Sequence, residues 1–246
     1  MEKHRFGLIG KNIEYSFSKT YFAEKFQNLE LEGYSYENFD INDINEFPDI
    51  IKKNPHLKGL NITIPYKESV IPFLDKLSKK AAAIGAVNTI KFTKDGKLKG
   101  CNTDYYGFKK SLKHLLQPHH TNALILGTGG AAKAVAFALE ELNIHYTFVS
   151  REAAGNTIDY NRINATSFDN FQIIINCTPL GTHPNIKNSP DIPYQYFTPK
   201  HIAYDLIYNP EMTVFLKKAQ SRGAVVKNGL EMLMLQADKA WKIWTS

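Results

Sequence analysis

Ala123-Leu-Ile-Leu-Gly-Thr-Gly-Gly-Ala-Ala-Lys-Ala-Val135 decides how the chain reads. A short apolar run ends at Gly127, two glycines follow at Gly129 and Gly130, and Ala131, Ala132, Ala134 and Ala136 continue at helix-compatible spacing. That order predicts a buried strand, a tight turn and a helix start. Glycine lets a backbone turn sharply and come close to a pyrophosphate, whose charge is attracted by the free N–H groups of the first helical turn. Ala134 stands where many dinucleotide fingerprints carry glycine. A ligand-free strand-to-helix turn uses the same pattern, so the rest of the chain has to decide between the two.

On the N-terminal side, Phe6 to Gly10 predicts a buried strand and Lys19 to Leu31 a helix with Tyr21, Phe22, Phe26 and Leu29 on one face. Tyr34 to Phe39 predicts a second strand, Asn42 to Lys53 a helix interrupted near Pro48, and Leu57 to Ile64 a third strand. This alternation predicts the α/β class, with a parallel sheet and helices on its faces. In the first loop Ser18 is placed to cap the helix, while Ser16 on the same side of an extended segment has no such duty. Two hydroxyls at a strand's carboxyl end suit an anion. In Asn61-Ile-Thr-Ile-Pro-Tyr-Lys67, residues Asn61, Thr63 and Pro65 share one side and the isoleucines fill the other. Lys67 then lies just beyond a carboxyl edge, where open α/β sheets bind ligands. A surface lysine in the first turn of the next helix accounts for it as well. Ala81 to Lys91 is a close-packed turn into a strand carrying Asn88, Lys94-Asp-Gly-Lys97 is a hairpin turn, and the returning strand ends in Gly100-Cys-Asn-Thr-Asp104. Asp104 precedes a helix from about Tyr105 to Leu116, as its N-cap, as a catalytic carboxylate, or as both.

Pro118 and His119-His120 mark a boundary, with the histidines read as surface loop and not as metal ligands. The glycine turn then opens a second βαβ series, whose next strand, Tyr146 to Ser150, ends in Ser150-Arg151. An acidic residue there would bind the ribose hydroxyls of NAD, whereas a guanidinium pairs with a 2′-phosphate and favours NADP. Glu152 partly offsets that field. Ile173 to Gly181 and Ala203 to Pro210 are further strand-to-loop transitions, Ala224 to Lys227 is the last strand, and Gly229 to Gln236 starts an amphipathic helix running through Trp244.

With 246 residues, 43% of them hydrophobic, the chain is long enough for one large or two modest domains. Thirty basic against 24 acidic residues leave a formal charge of +6, which suits an anionic substrate or cofactor. The lysines come as scattered pairs with no basic run or aromatic-basic module, so the charge predicts no nucleic-acid partner. The first residues have no signal-peptide core and no run reaches membrane-spanning length, which predicts a cytoplasmic protein without a membrane partner, its Cys101 and Cys177 kept as thiols.

Taken in order, these pieces resemble the shikimate dehydrogenase family along nearly the whole chain. The resemblance is carried by Ser16-Phe-Ser18, Asn61-Ile-Thr-Ile-Pro-Tyr-Lys67, Gly85-Ala-Val-Asn-Thr89, Gly100-Cys-Asn-Thr-Asp104, Gly127-Thr-Gly-Gly130, Asn176-Cys-Thr-Pro-Leu-Gly181, Asp205-Leu-Ile-Tyr208 and Gly229 to Gln236. It implies NADPH-dependent, reversible reduction of 3-dehydroshikimate to shikimate, a step of aromatic biosynthesis. It implies an N-terminal α/β substrate domain, residues 1–103 plus 232–246, and a Rossmann-type NADP domain, residues 104–231. Carried over, Ser16, Ser18 and Tyr208 would bind the substrate carboxylate, while Thr63, Asn88, Thr103 and Gln236 would hold its hydroxyls. Lys67 and Asp104 would be the acid/base pair, with the ultimate proton donor left open. Gly127, Gly129, Gly130, Ala131, Ser150, Arg151, Thr178, Leu206 and Gly229 would line the cofactor.

The chain departs from the family pattern at Tyr15 and Lys19, where His and Pro are usual, at Ser150-Arg-Glu152, which keeps one basic residue of the family's basic stretch, and at Thr182, where methionine is frequent. A quinate or dual quinate/shikimate dehydrogenase using NAD is one alternative. A non-catalytic NADP-binding sensor is another, although a sensor needs neither Lys67 nor Asp104. The apolar faces of the terminal helices fit a monomer or a homodimer.

Overall fold

The computed structural model describes residues 4–14, 16–152, 155 and 157–246, so Tyr15 lies outside the described residues. The chain divides into two units, Met1–Thr103 with Ala237–Ser246, and Asp104–Gln236. Both are α/β.

The first unit is built on β1 (His4–Gly10), α1 (Phe17–Asn28), β2 (Tyr34–Asp40), α2 (Phe47–Lys53), β3 (Leu57–Ile62), β4 (Lys76–Leu77), α3 (Lys79–Ile84), β5 (Thr89–Phe92) and β6 (Leu98–Cys101). Its sheet has the order β2-β1-β3-β5-β6-β4. β1 pairs with β2 and β3 in parallel, while the β5–β6 hairpin runs antiparallel to β3 and within itself. Alternation along β1 serves two cores. Phe6 and Leu8 join Phe22, Phe26, Tyr36 and Trp244 on one face, and Ile9 joins Leu60, Ile62, Val87 and Ile90 on the other.

Several sequence expectations shift by a few residues, each for a local reason. α1 starts at Phe17 because Ser16 caps it, its side chain accepting from the Ser18 N–H, so Ser18 lies within the first turn and the two serines exchange the roles expected of them. The third strand stops at Ile62: the Tyr66 N–H bonds the Thr63 carbonyl and the Lys11 N–H the Ile64 carbonyl, while Pro65 has no N–H for the ladder. Ile64 is therefore 63% exposed instead of filling the core beside Ile62. No helix follows Lys67, only turns and a 3-10 segment, Ile71–Phe73, with a proline in its first turn. The stretch before Lys53 divides into a 3-10 segment, Ile44–Glu46, and α2, whose first turn holds Pro48.

The second unit comprises α4 (Asp104–Lys113), β7 (Asn122–Leu126), α5 (Gly130–Glu140), β8 (His145–Ser150), β9 (Thr157–Asp159), α6 (Ala165–Asn170), β10 (Ile173–Asn176), β11 (Ile202–Asp205), α7 (Val214–Gln220) and β12 (Val225–Lys227). α8 spans Leu230–Trp244. The sheet order is β12-β11-β10-β7-β8-β9, parallel at every pairing. This is the doubly wound order of dinucleotide-binding sheets, with its switch point between β7 and β10. Ala123 to Leu126 and Ile173 to Ile175 are wholly buried, as expected for central parallel strands covered on both faces. Asp104 is the first residue of α4 and is buried. His120 corrects the surface reading of its loop. It is buried, its Nδ1 accepts from the Gln117 N–H at 2.8 Å, and burial lowers its pKa.

Within the first unit the C-terminal turn of α8 is locked by one close approach. Gly59 in β3 lies under the Trp244 ring, which a Cβ would run into, and Trp244 Nε1 donates to the Ile90 carbonyl at 3.0 Å. Gly59→Ala is expected to cost about 2–4 kcal/mol, the sum of typical overpacking and a lost buried hydrogen bond. Urea unfolding checks it, and an unchanged midpoint would show that the ring repacks without loss.

Candidate active site

In the first unit, the carboxyl ends of β3 and β6 and the start of β5 come to one edge of the sheet, since Asn61 pairs with Thr89 and Thr89 with Cys101. Asn88 occupies that edge, 2% exposed, and its side chain is fully engaged by protein groups. Its Nδ2 donates to Thr103 Oγ1 at 3.0 Å, and its Oδ1 accepts from the Thr103 N–H at 2.7 Å and from Thr89 Oγ1 at 3.0 Å. The Asn88 carbonyl takes the Ile62 N–H at 2.9 Å and Asn61 Nδ2 at 3.1 Å. Asn61 Oδ1 accepts from the Tyr36 hydroxyl at 2.9 Å. Burial raises the Tyr36 pKa, and a side-chain hydrogen bond with Ser18 acts the other way.

This network brings several expected residues together. Ser18 reaches it through Tyr36, Asn88 and Thr103 form its centre, and the Lys67 carbonyl is held by the Val87 N–H at 2.7 Å, one residue from Asn88. Asp104 directly follows Thr103. Thr63 stands over Gly10, where a Cβ would meet the Thr63 methyl, so the loop bearing the two serines and the turn after β3 adjoin. Ser16 differs from the expectation in that its hydroxyl is already used as the α1 cap.

In the second unit, the glycine turn leaves β7 at Gly127, whose φ of +106° lies where side chains are strained. α5 follows with Gly129 as N-cap, no side-chain cap and no acidic residue in its first turn. A Cβ at Gly129 would meet nothing within 4 Å. An uncapped helix start beneath open space, with Gly130 and Ala131 supplying backbone N–H groups, fits a pyrophosphate. The turn adjoins the loop after β10, because a Cβ at Gly127 would lie 3.4 Å from Cys177 and Thr178 atoms. Thr178 is fixed by Asn176, whose Oδ1 accepts from the Thr178 N–H at 3.0 Å and Oγ1 at 2.6 Å. Leu206 and Gly229 meet directly, since a Cβ on Gly229 would collide with the Leu206 carbonyl. Ser150 ends β8 and Arg151 follows it, exposed, so its guanidinium is available to a solvent-facing anion. Tyr208 and Gln236 are half-buried, the first after β11 and the second on α8. Among the described residues no group of three or more His, Cys, Asp or Glu gathers as a metal site, and no helix is long and apolar enough to cross a membrane.

Residues 8–90 match the family model for the shikimate dehydrogenase substrate binding domain. The shikimate dehydrogenase (NADP(+)) of Desulforamulus reducens is 35% identical over 97% of this chain and 89% of its own length. The chain belongs to the shikimate dehydrogenase family. Among solved structures, shikimate dehydrogenase 1 of Peptoclostridium difficile superposes with a TM-score of 0.86 at 36% identity, covering 98% of this chain and 91% of that one. The shikimate 5-dehydrogenase of Thermus thermophilus, solved with NADP(H) and shikimate, gives 0.87 at 33% identity, covering 98% and 93%.

One buried carboxyl of the second unit lies outside the residues to which the sequence assigns a role. Asp205 was singled out only as part of a motif, yet it is fully buried, and burial pushes its carboxyl up to about 6 against hydrogen bonds from Thr213, Ile207 and Asn176. A folded-state pKa above the unfolded value means that the native state holds its proton longer, so this group's contribution to stability falls as pH rises from about 4 to about 6 and is constant above. The shift corresponds to about 3 kcal/mol. Carboxyl-carbon NMR titration is expected to place the Asp205 midpoint near 6; a midpoint near 4 would mean that water reaches the group.

Proposed function

We propose that the chain catalyses the reversible, NADP-dependent interconversion of 3-dehydroshikimate and shikimate, with Lys67 and Asp104 as its acid/base pair. Residues 1–103 with 232–246 would be the substrate domain and residues 104–231, with the glycine turn, the NADP domain. The reading rests on family membership over nearly the full chain and on one observation in the fold. The segments bearing Lys67 and Asp104 are both tied to the Asn88–Thr103 pair, through the Val87 N–H to the Lys67 carbonyl and through Thr103 itself.

NADPH, when bound, supplies a hydride to the ring carbonyl carbon. The charge that builds on the carbonyl oxygen calls for a cation able to donate a proton, and Lys67 Nζ does both. Asp104 orients the ammonium and relays its proton. Ser16 and Ser18, with Tyr208, receive the substrate carboxylate, while Asn88, Thr63, Thr103 and Gln236 order its hydroxyls. The N–H groups of Gly130 and Ala131 take the pyrophosphate, Arg151 and Ser150 the 2′-phosphate, and Thr178, Leu206 and Gly229 the nicotinamide half.

Lys67→Ala is expected to lower kcat about 10²–10⁴-fold, the usual worth of a positioned proton donor, with the cofactor Kd unchanged. Lost NADP binding with preserved turnover would refute its role. The single basic residue in Ser150-Arg-Glu152 favours a second reading, a dehydrogenase that also takes NAD or quinate. Arg151→Ala separates the two: it is expected to raise KM for NADP at least about tenfold, as for a charge-assisted pair, and KM for NAD hardly at all. Equal effects, with turnover of quinate or NAD by the unaltered chain, would support the second reading.

A further inference from the structure

Asp205 ends β11 with both carboxylate oxygens occupied and no cation at hand. Asn176 Nδ2 donates to Oδ1 at 3.1 Å, the Ile207 N–H to the same oxygen at 3.0 Å, and Thr213 Oγ1 to Oδ2 at 2.7 Å. Among the described residues no Lys, Arg or His pairs with it. Each donor belongs to a different piece of the carboxyl edge. Asn176 closes β10 and holds Thr178, Ile207 lies in the segment after β11, and Thr213 caps α7. An ionised carboxylate accepts at both oxygens from all three donors. A protonated acid or an amide keeps an acceptor for the two N–H groups but places a donor opposite Thr213, whose hydroxyl must then turn round to accept, and the charge that strengthens the three bonds is lost.

We propose that Asp205 is a positioning residue for the cofactor: through Asn176 it orients the Thr178–Leu180 turn, and through Ile207 and Thr213 it fixes the Leu206–Tyr208 segment against Gly229. The nicotinamide half of NADP then meets two loops in a single arrangement. This rests on the NADP reading above. The titratable groups on the packed elements leave the charge unanswered. Lys227 on β12 is paired with Glu231, and Lys218 on α7 stands over the Tyr194 ring, 4.5 Å from its centroid. Tyr194 is kept neutral by burial, with Asp191 beyond it. Cys177 follows Asn176 on the β10 side. Because Asp205 exchanges its proton near pH 6, the clamp loosens as pH falls through that value.

The test is calorimetric binding of NADP+ and of adenosine 2′,5′-bisphosphate, which lacks the nicotinamide half, to the full chain and to Asp205→Asn. At pH 7.5 the variant is expected to bind NADP+ about tenfold more weakly, the worth of a hydrogen bond to a charged group, and the bisphosphate unchanged. The 2′-phosphate also titrates near pH 6, but alike in both proteins, so the ratio of their NADP+ affinities is read, and it is expected to shrink below about threefold at pH 5.5. Equal losses for both ligands, no loss for either, or a ratio independent of pH would overturn the proposal. If Asp205→Asn does not fold, Thr213→Val removes one donor and keeps the carboxylate; it is expected to show the same selectivity, and its absence would overturn the clamp. An unaltered chain that binds the bisphosphate but not NADP+ would overturn the clamp alone, and one that binds neither would overturn the NADP reading and the clamp with it.

Discussion

A buried amide side chain cut off from water has to find its partners within the protein, at a cost of a few kcal/mol for each one missed. Both sheets place such an amide at the edge where their loops leave. Asn88 accepts the Thr103 N–H in the first unit, and Asn176 accepts the Thr178 N–H in the second. In each case the side chain substitutes for a strand that has stopped, and the loop backbone is drawn onto it. Thr103, which Asp104 directly follows, and Thr178 are held in place by these amides, and the residue before Asn88 holds the Lys67 carbonyl.

The charges divide by burial. Arg151 is exposed at the end of β8, where an ion pair between side chains would be worth little, but a doubly charged phosphate and a planar guanidinium make a stronger, directional pair. Asp205 is the opposite case, a buried charge held by neutral donors alone. In the second unit an exposed charge and a buried one thus lie at the same sheet edge, the one open to solvent and the other tied to three neighbouring groups.

Much of this was legible in the sequence because it depends on local rules. The glycine turn, the continuous apolar strands β7 and β10, and the hairpin between β5 and β6 follow from backbone permissiveness and burial alone. The exchanged roles of Ser16 and Ser18 were not legible, since they hang on which residue starts α1. Nor was the exposure of Ile64, because alternation cannot see a turn closed from a distant loop by the Lys11 N–H. β4 and β9, of two and three residues, are too short for periodicity. His120 differs from the surface reading, and the burial of Asp205 was not legible, for one shared reason: a polar residue announces its burial only through partners distant in sequence, the Lys200 carbonyl for the one and Asn176 for the other.

The positions of Asp104 and Gln236 are set by close backbone approach rather than by side-chain choice. Gly107, one turn into α4, faces α8 so closely that a Cβ would collide with the Met232 carbonyl and lie 3.3 Å from Gln236 Cβ. Gln236 stands at this crossing, and Asp104, three residues before the glycine, is about one helical turn from it. At the other end of the same segment, Gly229 lets the start of α8 rest on the Leu206 carbonyl. Two missing side chains thus fix the height and the rotation of the first turns of α8, up to Gln236, within the second unit. Any larger residue at either glycine would lift the helix, and with it the amide of Gln236, away from the turn that begins with Asp104.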